Sequence, residues 1–501
     1  MTGLLLADDI EKFVSTLLEN ASKNPSATRK VIHDPILGTN VFEPHEIALI
    51  DLPFCQRLRR ISQTDVASLV FPSANHNRLE HSLGVATITG RIIQSIQSKP
   101  RSPKVPLEVE IAIRTAAILH DIGQGPFSHL TDSIIKRFPE VIEYRKKHPG
   151  IFSEHKPHEM LSYMIVKDSK FKNHYINEIL KNNNSSKSVA EKVDIDAIAD
   201  MIVAANQKDK YKAWQGDIIN GPFDADKLDY LQRDAYFSGL KIGIDLERFL
   251  HSVWINKRDK VRRLKVMTSG AITLEQILFG KVLLYNTLYQ HHKVLAAECA
   301  LAGFFEILED NPEVTINGHR MDRAIDFLSV SEANLLSLEN KPTKIRSHLE
   351  RFLYRDLLKR ALVISSDTVV KPETSTGYAQ FKELSEYPEA IKELRGKLVD
   401  ALRGKYPIYD IWIVLPRTPT FSDEASMAKI QDPGGPIKSL RDPFRVDEWL
   451  TAYWGNKWTG YVFCPSDNET REEVGKAAAG VLEDEYHFKL KTSAFEKAKN
   501  R

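Results

Sequence analysis

Residues 118–129 read Ile-Leu-His-Asp-Ile-Gly-Gln-Gly-Pro-Phe-Ser-His, and they continue an apolar run that begins at Ile111 and has the composition of a buried helix. His120 and Asp121 stand where that helix gives way to glycines. Upstream lies His81, and downstream an acid-rich segment runs from Asp224 to Asp234. An adjacent imidazole and carboxylate, joined by a distant His and a distant Asp, make a mixed nitrogen and oxygen donor set for a divalent cation such as manganese, iron, zinc or magnesium. Such a site keeps positions open for water and a phosphate oxygen, so phosphate-ester hydrolysis is its natural chemistry. The competing reading is a satisfied core histidine beside a helix-terminal acid.

The flanking segments bear on that choice. Val85, Ile88, Ile92 and Ile96 line one helical face, and His81 lies one turn earlier on it. In DADKLDYLQRDA, Asp226, Asp229, Tyr230, Arg233 and Asp234 share a face while Leu228, Leu231 and Ala235 take the other, so the polar face is expected to meet a cleft or water. His129 and Asp132 sit three residues apart, close enough for the carboxylate to orient an imidazole that transfers a proton. His158-Glu159 is a second such pair.

The whole chain sets the class. It has 501 residues, with 69 Lys+Arg against 67 Asp+Glu, a net charge of +2 that offers no overall electrostatic case for nucleic acid or membrane. Cys55, Cys299 and Cys464 are far apart, which suggests neither a disulfide framework nor a thiolate zinc site, and a reducing compartment follows. The N-terminus lacks a basic region before its short apolar run, and no stretch is long and apolar enough to span a bilayer, so a cytoplasmic location is expected, the nucleus included as an option. The fold class expected is mainly α, a helical core with a smaller C-terminal α/β region. Its segments are residues 1–29, with a helix over Ile10–Leu18 and a polar linker; 30–310, the helical core; 311–365, a helical extension; and 366–501, a mixed region with strands at Ile408–Leu415 and Tyr461–Phe463 and a charged helix from Glu469.

Six stretches in family order give the chain a resemblance: KVIHDPILG (Lys30–Gly38), FCQRLRRISQ (Phe54–Gln63), FPSANHNRLEHSLGV (Phe71–Val85), ILHDIGQGPFSH (Ile118–His129), DADKLDYLQRDA (Asp224–Ala235) and LYQHHKV (Leu288–Val294). It resembles the HD-domain deoxynucleoside triphosphate triphosphohydrolases, of the type that in vertebrates carries a sterile-alpha-motif domain, which is expected to be missing here because only a short segment precedes Lys30. The resemblance implies that His81, His120, Asp121 and Asp226 hold the metal, with magnesium accompanying the nucleotide. It implies that Arg78, Lys227 and Tyr230 grip the triphosphate, that His129 oriented by Asp132 protonates the leaving oxygen, and that His158 lies against the α-phosphate. Gln63 and Asp234 would hold the sugar 3′-hydroxyl, and Tyr289 would stack under the sugar. The implied products are a deoxynucleoside and tripolyphosphate.

Three departures accompany the likeness. Gln124 replaces a family histidine and cannot shuttle a proton at neutral pH. Thr64 replaces a leucine under the sugar, and its hydroxyl is compatible with a 2′-hydroxyl. The extra histidine in LYQHHKV shifts the register after Gln290. Lys30, Val31, Asp51, Gln56 and Arg59 match a guanine-nucleotide activator site between subunits, which implies a homo-oligomer, dimer or tetramer. A neighbouring deoxynucleotide activator site keeps Val70, Phe71 and Arg248, but KVMTSG (Lys265–Gly270) replaces its basic stretch, so activation is expected to be simpler or absent. Two alternatives remain at this stage. One is an HD-type phosphatase or pyrophosphatase releasing mono- or diphosphate, which Gln124 keeps open. The other is a nucleotide-sensing or nucleic-acid-binding protein using Arg57 to Arg60, Lys257-Arg258 and Arg262-Arg263, although aromatic residues are not interleaved with these basic runs.

Overall fold

A computed structural model describes residues 2–21, 28–152, 155–205, 209, 212–339, 341–417, 422–442 and 444–499. The described residues are mainly helical, as expected, with a few small sheets. They form two compact units, and the division is not sequential: the first comprises 1–284, 315–335 and 422–444, the second 285–314, 336–421 and 445–501.

In the first unit, helix α1 (Thr2–Glu19) precedes a hairpin of β1 (Lys30–Asp34) and β2 (Gly38–Phe42), paired antiparallel from Lys30 opposite Phe42 to Asp34 opposite Gly38. The sequence reading had no strand here. The cue was the turn, where Asp34 Oδ1 accepts from the backbone N–H groups of Ile36 and Leu37 and Gly38 takes a φ of 71°. Helix α2 (Arg78–Ser98) follows an Asn77 cap, whose Oδ1 accepts from the N–H groups of Leu79 and Glu80 at 3.1 Å each. It packs on α3 (Leu107–Leu119), which opens after Pro106 with Glu108 and Glu110 in its first turn, where the helix dipole favours acids. Val85, Ile88, Ile92 and Ile96 have no exposed surface, and burial of such side chains contributes about 2 kcal/mol each. The site is completed by α4 (Ser128–Ile135), α5 (Pro157–Lys167) and α6 (Ala225–Ser238), the last ended by Gly239 in the left-handed region at φ 77°. The segment 422–444 rejoins this unit through a small sheet in the order Val253–Trp254, Lys265–Val266, Lys429–Ile430, Lys438–Ser439.

The second unit is built on a three-stranded antiparallel sheet in the order Lys359–Ser365, Thr459–Cys464, Trp412–Val414. Its core includes Leu362, Ile364, Phe381, Leu398, Trp458 and Val462, with the helix Asn468–Tyr486 packed on it. The first strand starts at Lys359, inside the stretch expected to be helical. There Ala361 to Ile364 are consecutively buried, a pattern that a strand covered on both faces satisfies and that the charge pairs around it obscured. Residues 408–410 form a single 3-10 turn rather than strand, so the expected strand Ile408–Leu415 shrinks to Trp412–Val414.

Candidate metal centre

Three helix ends converge on one point in the first unit. His81 comes from the first turn of α2, His120 and Asp121 from the end of α3, and Asp226 from the first turn of α6, whose cap Asp224 accepts from the Lys227 N–H at 2.7 Å. His81 Nε2 lies 2.9 Å from Asp226 Oδ1 and 4.0 Å from Asp121 Oδ2; His120 Nε2 lies 3.5 Å from Asp121 Oδ2 and 3.9 Å from Asp226 Oδ1.

The second nitrogen of each ring decides which atom faces this cluster. His81 Nδ1 is 2.8 Å from Asp229 Oδ2, and His120 Nδ1 is 2.8 Å from the Ala117 carbonyl. Both partners only accept, so each Nδ1 carries a proton and donates it, which leaves each Nε2 as the ligand atom. Both Nε2 atoms are buried without a well-directed hydrogen bond, His81 Nε2 having only its ion-pair contact with Asp226 at 2.9 Å. Two imidazole nitrogens turned toward two carboxylates fit a divalent cation. The charge of the cluster points the same way. Burial disfavours a charged His81, but Asp226 and Asp229 outweigh it and raise the ring to about 10. Burial would also raise Asp121, yet His120, Arg78 and His158 hold it well below the usual carboxylate range. A divalent cation held by these residues would displace the proton from His81.

The polar face of α6 meets protein rather than open water. Asp229, Arg233 and Asp234 are buried: Arg233 donates to both oxygens of Asp229 and to Asp34 of β1, and Asp234 Oδ1 lies 2.8 Å from His76 Nε2, whose ring stacks on Phe237. Only Gly84 permits this approach of α6 to α2, since a Cβ there would lie 1.9 Å from Asp229 Oδ1.

The other expected site residues fall around the cluster with unequal freedom. Arg78 is buried, donating to Asp121 Oδ2 at 2.8 Å, Ser128 Oγ at 2.8 Å and the Gln63 carbonyl at 3.4 Å, so its guanidinium is engaged within the protein. Lys227 Nζ donates to Asp224 Oδ2 at 2.7 Å and the Gly221 carbonyl at 3.0 Å, and Tyr230 is half-buried. Lys281, which the sequence reading passed over, is buried and donates to Glu424 at 2.6 Å. Its signal was a lone lysine in the apolar helix Ala271–Leu284. Asp132 pairs most closely with His158, Nδ1 to Oδ2 at 2.6 Å, and stands 3.6 Å from His129 Nδ1. These three side chains form a second cluster, linked to the first where His158 Nε2 comes within 3.7 Å of Asp121 Oδ1. The Lys156 ammonium is the largest cause that lowers His129, whose side chain is half exposed, against the opposing pull of Asp132. Gln124 is fully buried and neither amide atom has a hydrogen-bond partner. Gln63 is buried with Oε1 unpaired, and the Thr64 hydroxyl points to the Ala74 carbonyl at 3.3 Å. Tyr289 belongs to the second unit, where its ring meets Tyr285 edge-on at 5.3 Å.

The activator-type residues gather on one surface. Lys30 faces Asp51 at 3.4 Å, Gln56 donates to the Ile50 carbonyl, Arg59 donates to Gln56 Oε1, and Val31 is exposed. Arg248 donates to the Ser269 carbonyl, within the KVMTSG stretch. The basic runs are partly consumed: Arg57 donates to the carbonyls of Ile122, Gln124 and Leu328, and Arg263 clasps Asp217. The second unit holds a cavity of about 530 Å³; His292 and Lys293 of the LYQHHKV stretch line it with Arg355, Lys359, Arg360 and Arg471, and there is no acid among its described lining residues.

Residues 78–234 match the HD domain, and residues 244–492 match the HD associated region. It is an HD-domain protein. The HD stretch begins at Arg78 and closes at Asp234, and so encloses all four metal-ligand candidates. An uncharacterized protein of Methanocaldococcus jannaschii is 30% identical over 332 residues, 66% of this chain and 61% of that one. The deoxynucleoside triphosphate triphosphohydrolase SAMHD1 of Homo sapiens is 28% identical over 368 residues, 66% of this chain and 55% of that one. An uncharacterized protein of Bacillus subtilis is 29% identical over 286 residues, 56% of this chain and 55% of that one. The chain therefore spans between half and two thirds of the length of these relatives. No described helix is long and apolar enough to cross a membrane.

Proposed function

We propose that this HD domain hydrolyses deoxynucleoside triphosphates at the α-phosphorus, giving deoxynucleoside and tripolyphosphate. The observation that carries the reading is the pair of buried Nε2 atoms of His81 and His120 facing Asp121 and Asp226, in a chain that shares 28% identity over 368 residues with an enzyme named for that activity. A divalent ion there supplies a water acidified toward neutral pH and a charge that screens phosphate oxygens. Asp229 and the Ala117 carbonyl hold the two imidazoles in the tautomer that binds it, and Arg78 fixes Asp121. Lys227 and Tyr230 bind the triphosphate. The group His129, Asp132 and His158 delivers the proton to the leaving 5′ oxygen, Asp132 fixing the His158 ring through Nδ1. Gln63 and Asp234 meet the sugar.

The reading extends to regulation. The surface of Lys30, Val31, Asp51, Gln56 and Arg59 binds a guanine nucleotide between subunits of a homo-oligomer, and the basic cavity of the second unit offers a place for an anionic effector.

A second reading keeps the site and changes the bond broken, with mono- or diphosphate released. The unpaired, buried amide of Gln124 favours it, because a neutral amide stands where proton transfer at the α-position is expected. Phosphorus NMR of products from the four deoxynucleoside triphosphates, incubated with manganese and GTP, separates the two. Intact tripolyphosphate is the expected product; phosphate or pyrophosphate as the first product contradicts the proposal.

A further inference from the structure

Three non-glycine residues in the left-handed region meet beside the metal centre: Asp65 at φ 52°, Phe127 at φ 57° and Ser128 at φ 43°. Two such residues in succession are unfavourable for L-amino acids, and they persist only where surrounding contacts over-determine them. Here the contacts are specific. Glu332 Oε1 accepts from the Phe127 N–H at 2.9 Å and from the Ser62 N–H at 2.7 Å, while its Oε2 accepts from the Ser62 hydroxyl at 2.6 Å. Asp65 Oδ1 accepts from the His129 N–H at 3.0 Å. Between them the Ser128 hydroxyl donates to the Ser62 carbonyl at 2.5 Å and accepts from Arg78 Nε at 2.8 Å, and Arg78 Nη1 then reaches Asp121 Oδ2.

We propose that Glu332 is a positioning residue for the metal centre, one jaw of a carboxylate clamp whose other jaw is Asp65, and that the clamp holds the Phe127–Ser128 turn in the strained form that aims Arg78 at Asp121. Glu332 lies outside the HD match and inside the HD associated region. One contribution of that region to the metal centre is therefore a carboxylate that pins the centre's own turn. A neutral side chain at 332 that keeps an acceptor should preserve the clamp; one that removes the acceptor should release the turn, free Arg78 and slacken Asp121.

The inference rests on the metal reading, not on the identity of the substrate, and its test uses manganese alone. Bound ion is measured by the loss of the free-ion paramagnetic resonance signal in the full-length protein and in Glu332→Ala, Glu332→Gln and Ser62→Ala, alongside deuterium exchange of the peptide spanning 122–132. Glu332→Ala should bind manganese 10- to 100-fold more weakly and exchange faster in that peptide, as outer-shell losses do. Glu332→Gln should stay within a few-fold of wild type, and Ser62→Ala, which loses one of the three contacts, should weaken binding by a smaller factor. If Glu332→Ala does not fold, Ser62→Ala with Glu332→Gln decides. Unchanged manganese affinity in Glu332→Ala or, failing that, in Ser62→Ala, whatever the loss of melting temperature, would make Glu332 a packing residue and overturn the proposal. A protein that binds manganese yet hydrolyses no nucleotide would sink the proposed reaction and leave the clamp standing.

Discussion

His129 and His158 share Asp132, but their surroundings shift them in opposite directions, His129 down and His158 up. The Lys156 ammonium lowers His129, which favours the neutral ring and makes it a poorer acid at neutral pH. Replacing Lys156 with glutamine should let the His129 titration rise toward its ordinary value near 6.5. A raised pKa means a larger protonated fraction at neutral pH. If His129 gives up a proton in the rate-limiting step, turnover at pH 7 should climb several-fold and its alkaline limb should move up. A pH profile of kcat identical in wild type and Lys156→Gln would remove His129 from that step. The same scale holds the sugar question. Thr64 is buried with its hydroxyl on the Ala74 carbonyl, and Thr64→Leu should sharpen discrimination against ribonucleoside triphosphates by about tenfold, the worth of one well-placed contact in a pocket. An unchanged ratio of kcat/KM for deoxy and ribo substrates would mean that Thr64 does not face the sugar.

At the scale of elements, the centre depends on how closely α6 approaches α2. Asp229 orients His81 only because Gly84 leaves room for it, so Gly84→Ala should displace the carboxylate and weaken manganese binding by about 10- to 100-fold, although residue 84 never touches the ion. Calorimetric titration of the metal checks it, and wild-type affinity in that variant would deny Asp229 its role. The elements also show what could be read from the chain. His81, His120 and Asp121 were legible because each ends or begins an apolar helix, a local pattern that places a donor at a terminus. His76, Lys281 and Glu332 were not, because their meaning comes from partners 158, 143 and 270 residues away, at Asp234, Glu424 and Ser62, and nothing in their neighbours announces the pairing. The hairpin over Lys30–Phe42 was missed for another reason: its exposed strands alternate too briefly to outweigh the helical texture around them, and only the Asp34 to Gly38 turn spoke for it.

For the whole molecule, the two units interleave along the chain, so neither is made of one continuous segment. The metal cluster belongs entirely to the first unit. The activator-type surface lies there too, around Lys30 and Arg59, within the region before Arg78 that the HD match does not cover. In the proposed function GTP should raise turnover of dATP several-fold and shift sedimentation to a larger species, and Lys30→Ala with Arg59→Ala should abolish both responses while leaving manganese affinity unchanged. Turnover and sedimentation indifferent to GTP would remove the activator site from the account and leave the catalytic centre as it stands. The near-neutral net charge of +2 and the internal use of Arg57 and Arg263 argue against nucleic acid as the main partner, and the binding of single strands should accordingly be weak at physiological salt.

The central claim is that one divalent ion, held by His81, His120, Asp121 and Asp226, makes this chain a nucleotide hydrolase. The most direct measurement is a titration of manganese into chelator-treated protein with the four deoxynucleoside triphosphates and GTP present, reading bound ion and product in the same samples for wild type and Asp121→Ala. The account predicts that product formation rises in proportion to bound ion, reaching its plateau near one ion per chain, and that Asp121→Ala loses both together. Turnover by the metal-free protein, or full turnover in Asp121→Ala, would contradict it.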